Sequence, residues 1–135
     1  MHEHRIRKMK IDVLSSMKLF NDFTEQDLDK LSDALQLVEI LDADKIIVQE
    51  GDESDSMFVI LAGEVIFEKN GKQVGKASKG QYFGELGLIK RCSRQATVKS
   101  GPQGSVELLK LRTDQFKRLM GKCISKLKEH ILEYA

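Results

Sequence analysis

The stretch from Phe83 to Val98 reads Phe-Gly-Glu-Leu-Gly-Leu-Ile-Lys-Arg-Cys-Ser-Arg-Gln-Ala-Thr-Val. Its order predicts a tight turn at Gly84, one apolar helical turn, and a loop that brings Arg94 to the start of a strand. A helix N-terminus attracts phosphate, because it offers unpaired N–H groups and the positive end of a dipole. Gly84 and Gly87 let the backbone approach a ligand closely, and Arg94 adds a forked, permanently charged donor. The stretch therefore predicts a cradle for a small anion.

Glu85 would repel a phosphate, so we expect it to face away from the anion, where its carboxylate can accept hydrogen bonds from sugar hydroxyls. Two simpler interpretations use the same residues. A glutamate near a helix N-terminus is favourable without any ligand, and Arg94 could simply pair with Glu85. The residues alone leave these alternatives open.

Composition limits the classes of protein to consider. At 135 residues and 41% hydrophobic content the chain is expected to form one globular domain. Its net charge of +1 predicts no nucleic-acid partner, and we interpret the basic cluster at residues 4–10 as the solvated start of a helix. No apolar run reaches membrane-spanning length, and the N-terminus is too charged for a signal peptide. Cys92 and Cys123 lack a metal-type spacing, so we expect a cytoplasmic protein with no metal and no cofactor.

Residues 1–36 are predicted to form an N-terminal helical pair. Thr24 is a plausible N-cap, and Asp27 follows three residues later as the acid of a capping box. Phe20 and Phe23 flank the turn and are expected to pin it to the core. Apolar residues at helical spacing mark the two helices: Ile6, Met9, Val13, Met17 and Phe20, then Leu28, Leu31, Ala34, Leu35 and Val38.

Residues 37–112 change to short β-branched runs separated by turn signals, which is typical of a barrel or jelly roll. The predicted fold is mainly β with flanking helices, and the Phe83–Val98 stretch interrupts the barrel between two strands. The acidic turn Asp52–Asp55 is interpreted as solvated, because it lacks the glycine and distant glutamate of a calcium-binding loop. The strand candidates are 38–41, 45–48, 57–61, 64–67, 73–77, 96–99 and 106–111.

Residues 113–135 are predicted to form one C-terminal helix with Thr113 as its N-cap. Gly121 interrupts the apolar stripe and weakens the helix, so it marks either a hinge or a point of close packing. The stripe comprises Phe116, Leu119, Met120, Cys123, Leu127 and Ile131.

The Phe83–Val98 stretch resembles the phosphate-binding cassette of cyclic nucleotide-binding domains. That family runs Phe-Gly-Glu-Leu-Ala-Leu, a short loop, and then Pro-Arg-Ala/Thr-Ala-Thr, with nine positions from the glutamate to the arginine, as from Glu85 to Arg94 here. The runs 49–52 and 57–65 resemble the glycine-punctuated strand pair of the family, and the resemblance covers about residues 12–130. It implies that Arg94 binds a cyclic phosphate and Glu85 the ribose 2′-hydroxyl. Backbone from Gly84 onward would complete the cradle, with amides around Leu86, Gly87, Gln95 and Ala96.

This chain departs from the family pattern at four positions. Gly87 replaces alanine, and Ser93 replaces a proline before the arginine. Gln95 stands where many cAMP sites carry alanine and many cGMP sites threonine, and Gly75 stands where some cGMP sites supply an arginine. The ligand is therefore predicted as cGMP or cAMP, with a slight preference for cGMP because an amide can both donate to and accept from guanine. Residues 90–93, Lys-Arg-Cys-Ser, are similar to the target of a basophilic kinase.

The resemblance implies a regulatory domain of a cyclic-nucleotide-dependent protein kinase, which shifts its terminal helices when the ligand binds. The chain lacks kinase motifs, so we expect no enzyme activity and a kinase catalytic domain as partner, in cis or in trans. A metal-dependent barrel enzyme is disfavoured, since His2, His4 and His130 all lie outside the strand region. A transcription factor would need a helix-turn-helix after the last helix, for which we expect no room. A degenerate domain that binds protein and no nucleotide remains the alternative.

Overall fold

The computed structural model of the protein describes residues 2–121 and 124–132. Two short 3₁₀ helices, Lys18–Phe20 and Glu85–Leu88, accompany the main elements. The main elements are α1 (His2–Ser15), α2 (Glu25–Ala34), β1 (Leu35–Ile40), β2 (Ile46–Val48), β3 (Ser56–Ala62), β4 (Glu64–Lys69), β5 (Lys72–Ser78), β6 (Tyr82–Phe83), β7 (Thr97–Ser100), β8 (Val106–Arg112), α3 (Thr113–Met120) and α4 (Ile124–Leu132).

The strands form two four-stranded antiparallel sheets. Their orders are β1-β8-β3-β6 and β2-β7-β4-β5. The fold is thus mainly β with flanking helices, as predicted, and of the jelly-roll class. It is a sandwich and not a closed barrel, because within the described residues each sheet ends at its own edge strands. The two-residue strand β6 is missing from the predicted set, since two residues are too few to show an alternating pattern.

The strand β3 is buried on both faces, which explains its uninterrupted apolar sequence. Its Phe58 and Ile60 pack between the two sheets, against residues such as Val65 and Val98. Its Met57 and Val59 face the opposite way and pack against the helices. The sandwich therefore has one core between its sheets and a second core under its helical layer.

The predicted cap at the start of the second N-terminal helix is correct, but the predicted C-terminal ends of both helices are not. The capping box at Thr24 is confirmed: Thr24 Oγ1 accepts from the Asp27 amide at 3.1 Å, and Asp27 Oδ2 accepts from the Thr24 amide at 3.0 Å. However, α1 ends at Ser15, and Phe20 belongs to a separate 3₁₀ turn. The prediction of Leu35 and Val38 in the second helix is wrong, because α2 ends at Ala34 and β1 pairs with β8 from Leu35 onward.

The C-terminal segment differs from the predicted single helix. The described residues form two helices, and Gly121 caps the end of α3. Among the described residues a Cβ on Gly121 would meet no atom within 4 Å, so the glycine makes no close packing contact with them. The predicted N-cap is also wrong, because Arg112 holds that position and Thr113 is the first helical residue. Cys123 lies outside the described residues. No helix among the described residues is long and apolar enough to cross a membrane.

Candidate functional site

The turn at Gly84 has the geometry that the sequence predicts. Gly84 adopts the left-handed conformation, with φ 83° and ψ 11°, and the 3₁₀ helix Glu85–Leu88 begins immediately after it. A Cβ at this position would lie 2.5 Å from Arg94 Nη1 and 2.8 Å from the carbonyl oxygen of Ser56. Glycine is therefore required twice, by the backbone conformation and by the arginine that packs on it.

The cassette surrounds a cavity of about 450 Å³. This volume lies in the range typical of small-molecule sites. The structure brings six of the seven predicted site residues to its wall, namely Gly84, Glu85, Leu86, Arg94, Gln95 and Ala96. The remaining lining residues are Val48, Ser54, Phe67, Phe83, Cys92, Ser93, Val98 and Ile131.

Gly87 is the predicted site residue that does not line the cavity. It is buried, and a Cβ on it would lie 2.6 Å from Ser54 Oγ and 2.7 Å from the Ser54 carbonyl oxygen. Its own carbonyl accepts a hydrogen bond of 3.2 Å from the hydroxyl of Thr113, the first residue of α3. In the structure Gly87 therefore allows close packing and links the cassette to the C-terminal helices.

Arg94 is the main charged group of the site, and its side chain is almost completely buried. The residue is 7% exposed, and Nη2 donates to Ser56 Oγ at 3.2 Å and lies 3.5 Å from Asp55 Oδ1. The guanidinium carbon lies 5.9 Å from the centroid of the Phe58 ring, within reach of a cation–π interaction. Burial lowers the pKa of Arg94, although nearby Asp55 opposes this effect. An arginine nevertheless keeps its charge at any physiological pH.

The second terminal nitrogen of Arg94 lacks a hydrogen-bond partner among the described residues. Nη1 is buried, and no acceptor contacts it within the described part of the chain. A buried donor without an acceptor is costly, and more so when it is charged. The arrangement thus leaves a buried cation with one unused donor group in a residue that lines the cavity.

The acidic turn at residues 52–55 holds the loop that carries Arg94. The Arg94 amide donates to the Asp52 carbonyl at 2.7 Å, and the Ser54 amide donates to the Cys92 carbonyl at 2.8 Å. Arg91 also forms an ion pair of 2.9 Å with Glu53. The sequence predicts that this turn is only solvated. The structure shows that it also pairs with the loop that carries Arg94. No group of three or more potential metal ligands occurs in residues 2–121 and 124–132.

Sequence reasoning missed the supports of Arg94 and the apolar wall of the cavity. Ser56 begins β3 and lies far from Arg94 along the chain. The one available signal is indirect: a buried arginine needs acceptors, but the sequence does not say which residue provides them. Phe83 stacks on Phe58 with ring centroids 5.1 Å apart and meets Phe67 edge-on at 5.8 Å. From α4, Ile131 is fully buried and also lines the cavity. The helical spacing predicts that Ile131 is buried, but not where.

The protein is a two-sheet sandwich with a cavity that the cassette and the last helix both line. A buried arginine lies in the wall of this cavity, and these features together define a ligand-binding domain. The family model described as "Cyclic nucleotide-binding domain" matches residues 38–123. This chain therefore belongs to the cyclic nucleotide-binding domain family, and the predicted resemblance is confirmed.

Three similar proteins describe the relationship further. The cAMP-dependent protein kinase regulatory subunit of Debaryomyces hansenii is 37% identical over 90% of this chain and 26% of its own length. The regulatory domain of Toxoplasma gondii PKA, solved with cAMP, is 27% identical with a TM-score of 0.78, over 97% of this chain and 51% of that one. The regulatory subunit of a cAMP-independent protein kinase A from Trypanosoma brucei is 26% identical with a TM-score of 0.75, over 93% and 46%.

The chain spans about a quarter to a third of the length of the curated relatives that it matches. These relatives are regulatory subunits and not catalytic ones, which agrees with the prediction of a regulatory domain instead of an enzyme.

Proposed function

We propose that this chain senses a cyclic nucleotide and regulates a protein kinase, in the manner that the names of its relatives indicate. The observation that carries the proposal is a buried arginine, Arg94, which lines a cavity of about 450 Å³ and whose Nη1 has no hydrogen-bond partner among the described residues. An anion in the cavity would supply the missing acceptor and gain a charge-assisted hydrogen bond. A cyclic phosphate meets this requirement, and the rest of the nucleotide suits the rest of the wall.

The other groups of the wall have complementary roles in this proposal. Glu85 is half-buried and offers a carboxylate for the ribose 2′-hydroxyl. The backbone at Leu86, Gln95 and Ala96 offers amides for the phosphate, and the apolar side chains Val48, Phe67, Phe83 and Val98 provide a surface for sugar and base. Gly87 supports the turn from behind, where it packs closely against Ser54.

We propose cAMP as the preferred nucleotide. Gln95 alone favours cGMP slightly, but its side chain is exposed at the cavity rim, and Gly75 provides no arginine to read guanine. The curated relatives are regulatory subunits of cAMP-dependent protein kinases, and the structure of the Toxoplasma relative was determined with cAMP. These comparisons outweigh the argument from one exposed amide.

We further propose that binding is transmitted to the C-terminal helices. Ile131 of α4 lines the cavity, so a ligand there contacts this helix directly. The Thr113 hydroxyl donates a hydrogen bond to the Gly87 carbonyl, so a movement of the cassette would also displace the start of α3. A kinase catalytic domain, in cis or in trans, would respond to the changed position of these helices.

Calorimetric titration with cAMP and cGMP tests the binding proposal. Arg94→Lys should weaken the affinity for either nucleotide by more than about tenfold, because lysine keeps the charge but loses the forked donors. Arg91→Lys is the matched control: this arginine lies three residues away, is 86% exposed and contacts Glu53. Equal affinities of the parent and Arg94→Lys would refute the role of Arg94.

The alternative is a member of the family that has lost nucleotide binding and serves as a protein-interaction module. The regulatory subunit of a cAMP-independent protein kinase A from Trypanosoma brucei, which has the same fold, favours this possibility. The departures at Gly87, Ser93 and Gln95 agree with it. The same titration distinguishes this alternative from the proposed nucleotide sensor, because the alternative predicts no heat of binding for either nucleotide.

A further inference from the structure

Ser93 and the two basic residues that precede it, Lys90 and Arg91, lie exposed on a loop at the edge of the cavity. The loop, residues 89–96, belongs to no helix or sheet, apart from one bridge between Ser93 and Glu53. Lys90, Arg91 and Ser93 are all exposed, and the Arg91 side chain is 86% accessible. Ser93 also lines the cavity beside Arg94.

Ser100, another serine that follows a basic residue, shows why the exposure of Ser93 to a kinase matters. Ser100 comes directly after Lys99 but is fully buried, and its hydroxyl donates to the Asp42 carbonyl at 2.6 Å. A kinase could reach Ser100 only by unfolding the sandwich. It could reach Ser93 by opening the few backbone bonds that join the loop to the acidic turn, a local event.

We propose that Ser93 is a phosphorylation site for a basophilic serine/threonine kinase, and that its phosphate closes the cavity to the nucleotide. Lys90 and Arg91, three and two residues before Ser93, supply the basic charges that such a kinase recognises. The second half of this proposal rests on the proposed function, whereas the first half does not.

The chemistry needs only ATP and the kinase. The Ser93 oxygen attacks the γ-phosphorus of ATP, the bond to the β-phosphate oxygen breaks, ADP leaves, and the hydroxyl proton passes to the kinase base. The product carries about 1.5–2 negative charges and three strong acceptor oxygens.

The surroundings of Ser93 explain why this charge would oppose nucleotide binding. The new phosphate lies in the same cavity wall as Arg94, so its charge repels an incoming cyclic phosphate and offsets the attraction of the arginine. Arg91 is the other cation at hand, and pairing with the phosphate would release it from Glu53. Asp52, Glu53 and Asp55 face the loop from the opposite turn and would be repelled, which strains the backbone pairing that positions Arg94.

The structure thus gives a role to the replacement of the family's proline by serine. Proline cannot accept a phosphate, whereas Ser93 can do so at the mouth of the site. The nucleotide and the modification are expected to exclude each other, so a bound nucleotide should also slow phosphorylation of Ser93.

The test uses the purified 135-residue chain, ATP and a basophilic kinase such as the catalytic subunit of cAMP-dependent protein kinase, with mass spectrometry to locate the phosphate. Ser93 should be modified. Ser93→Ala should abolish that phosphate, whereas Ser78→Ala should not; Ser78 is an exposed serine on β5, away from the cavity lining. Arg91→Gln keeps the hydroxyl but should slow the reaction by about tenfold or more, because the kinase loses one of its two basic determinants.

Calorimetry then compares the parent with the fully phosphorylated chain. The phosphorylated chain should bind cAMP at least about tenfold more weakly, and phosphatase treatment should restore the affinity, which excludes misfolding. A phosphate map that omits Ser93, or equal affinities before and after modification of Ser93, would overturn the proposal. If the unmodified chain binds neither nucleotide, the proposed function and the closure both fail, and the phosphate map alone still decides whether Ser93 is a kinase site.

Discussion

Replacing Gly84 by alanine separates two costs that the structure assigns to this position. The first is the left-handed backbone, φ 83°, which costs a residue with a Cβ about 1–2 kcal/mol. The second is space: the new methyl group would stand 2.5 Å from Arg94 Nη1 and 2.8 Å from the Ser56 carbonyl oxygen. Crowding of this kind typically costs about 1–3 kcal/mol. We therefore expect Gly84→Ala to lower the free energy of unfolding by roughly 2–5 kcal/mol in total.

Gly80→Ala is the matched control for this substitution. Gly80 has φ 90°, close to that of Gly84, but a Cβ there would meet no atom within 4 Å. It should therefore show only the backbone cost of about 1–2 kcal/mol. Because the methyl group at position 84 displaces Arg94, Gly84→Ala should also lose nucleotide affinity, whereas Gly80→Ala should retain it.

Urea unfolding followed by calorimetric titration measures both quantities. Each kcal/mol at the midpoint corresponds to a shift in Tm of roughly 3–5 °C for a domain of this size, so thermal unfolding provides a second reading. Equal losses of stability and equal affinities in the two variants would refute the reasoning, since contact with Arg94 would then contribute nothing.

Two further predictions concern the ligand. The 2′-deoxy nucleotide should bind the parent more weakly by about 1–3 kcal/mol, because the charge-assisted hydrogen bond between the 2′-hydroxyl and Glu85 is lost. This loss should largely vanish in Glu85→Ala, and an equal loss in both proteins would remove Glu85 from the sugar site. The ratio of cGMP to cAMP affinity should rise in Gln95→Thr and fall in Gln95→Ala, within about tenfold, or 1.4 kcal/mol, of the parent. Calorimetric titration of cGMP and cAMP against the parent, Gln95→Thr and Gln95→Ala measures this ratio. Unchanged ratios would show that Gln95 does not read the base.

Features that depend on neighbouring residues could be predicted from the sequence alone. The capping box at Thr24 and the turn at Gly84 arise from hydrogen bonds and steric limits within three or four residues, which a spacing pattern records directly. The same holds for the order of turn, helical segment, loop and arginine in the cassette. The alternating and helical periods also indicate the mainly β class and the flanking helices.

Contacts between distant segments were decided only by the tertiary structure. The register of β3 places Ser56 and Asp55 at the guanidinium of Arg94, 38 residues from Ser56 along the chain. The packing of α4 brings Ile131 to the cavity, and the turn at Ser54 fills the space beside Gly87. Sheet register and helix packing follow from the burial of many side chains at once, and a change of one residue in register would turn each side chain to the other face. The residue types at these positions do not encode which partner they meet, so the sequence identifies the arginine while only the folded chain determines what holds it.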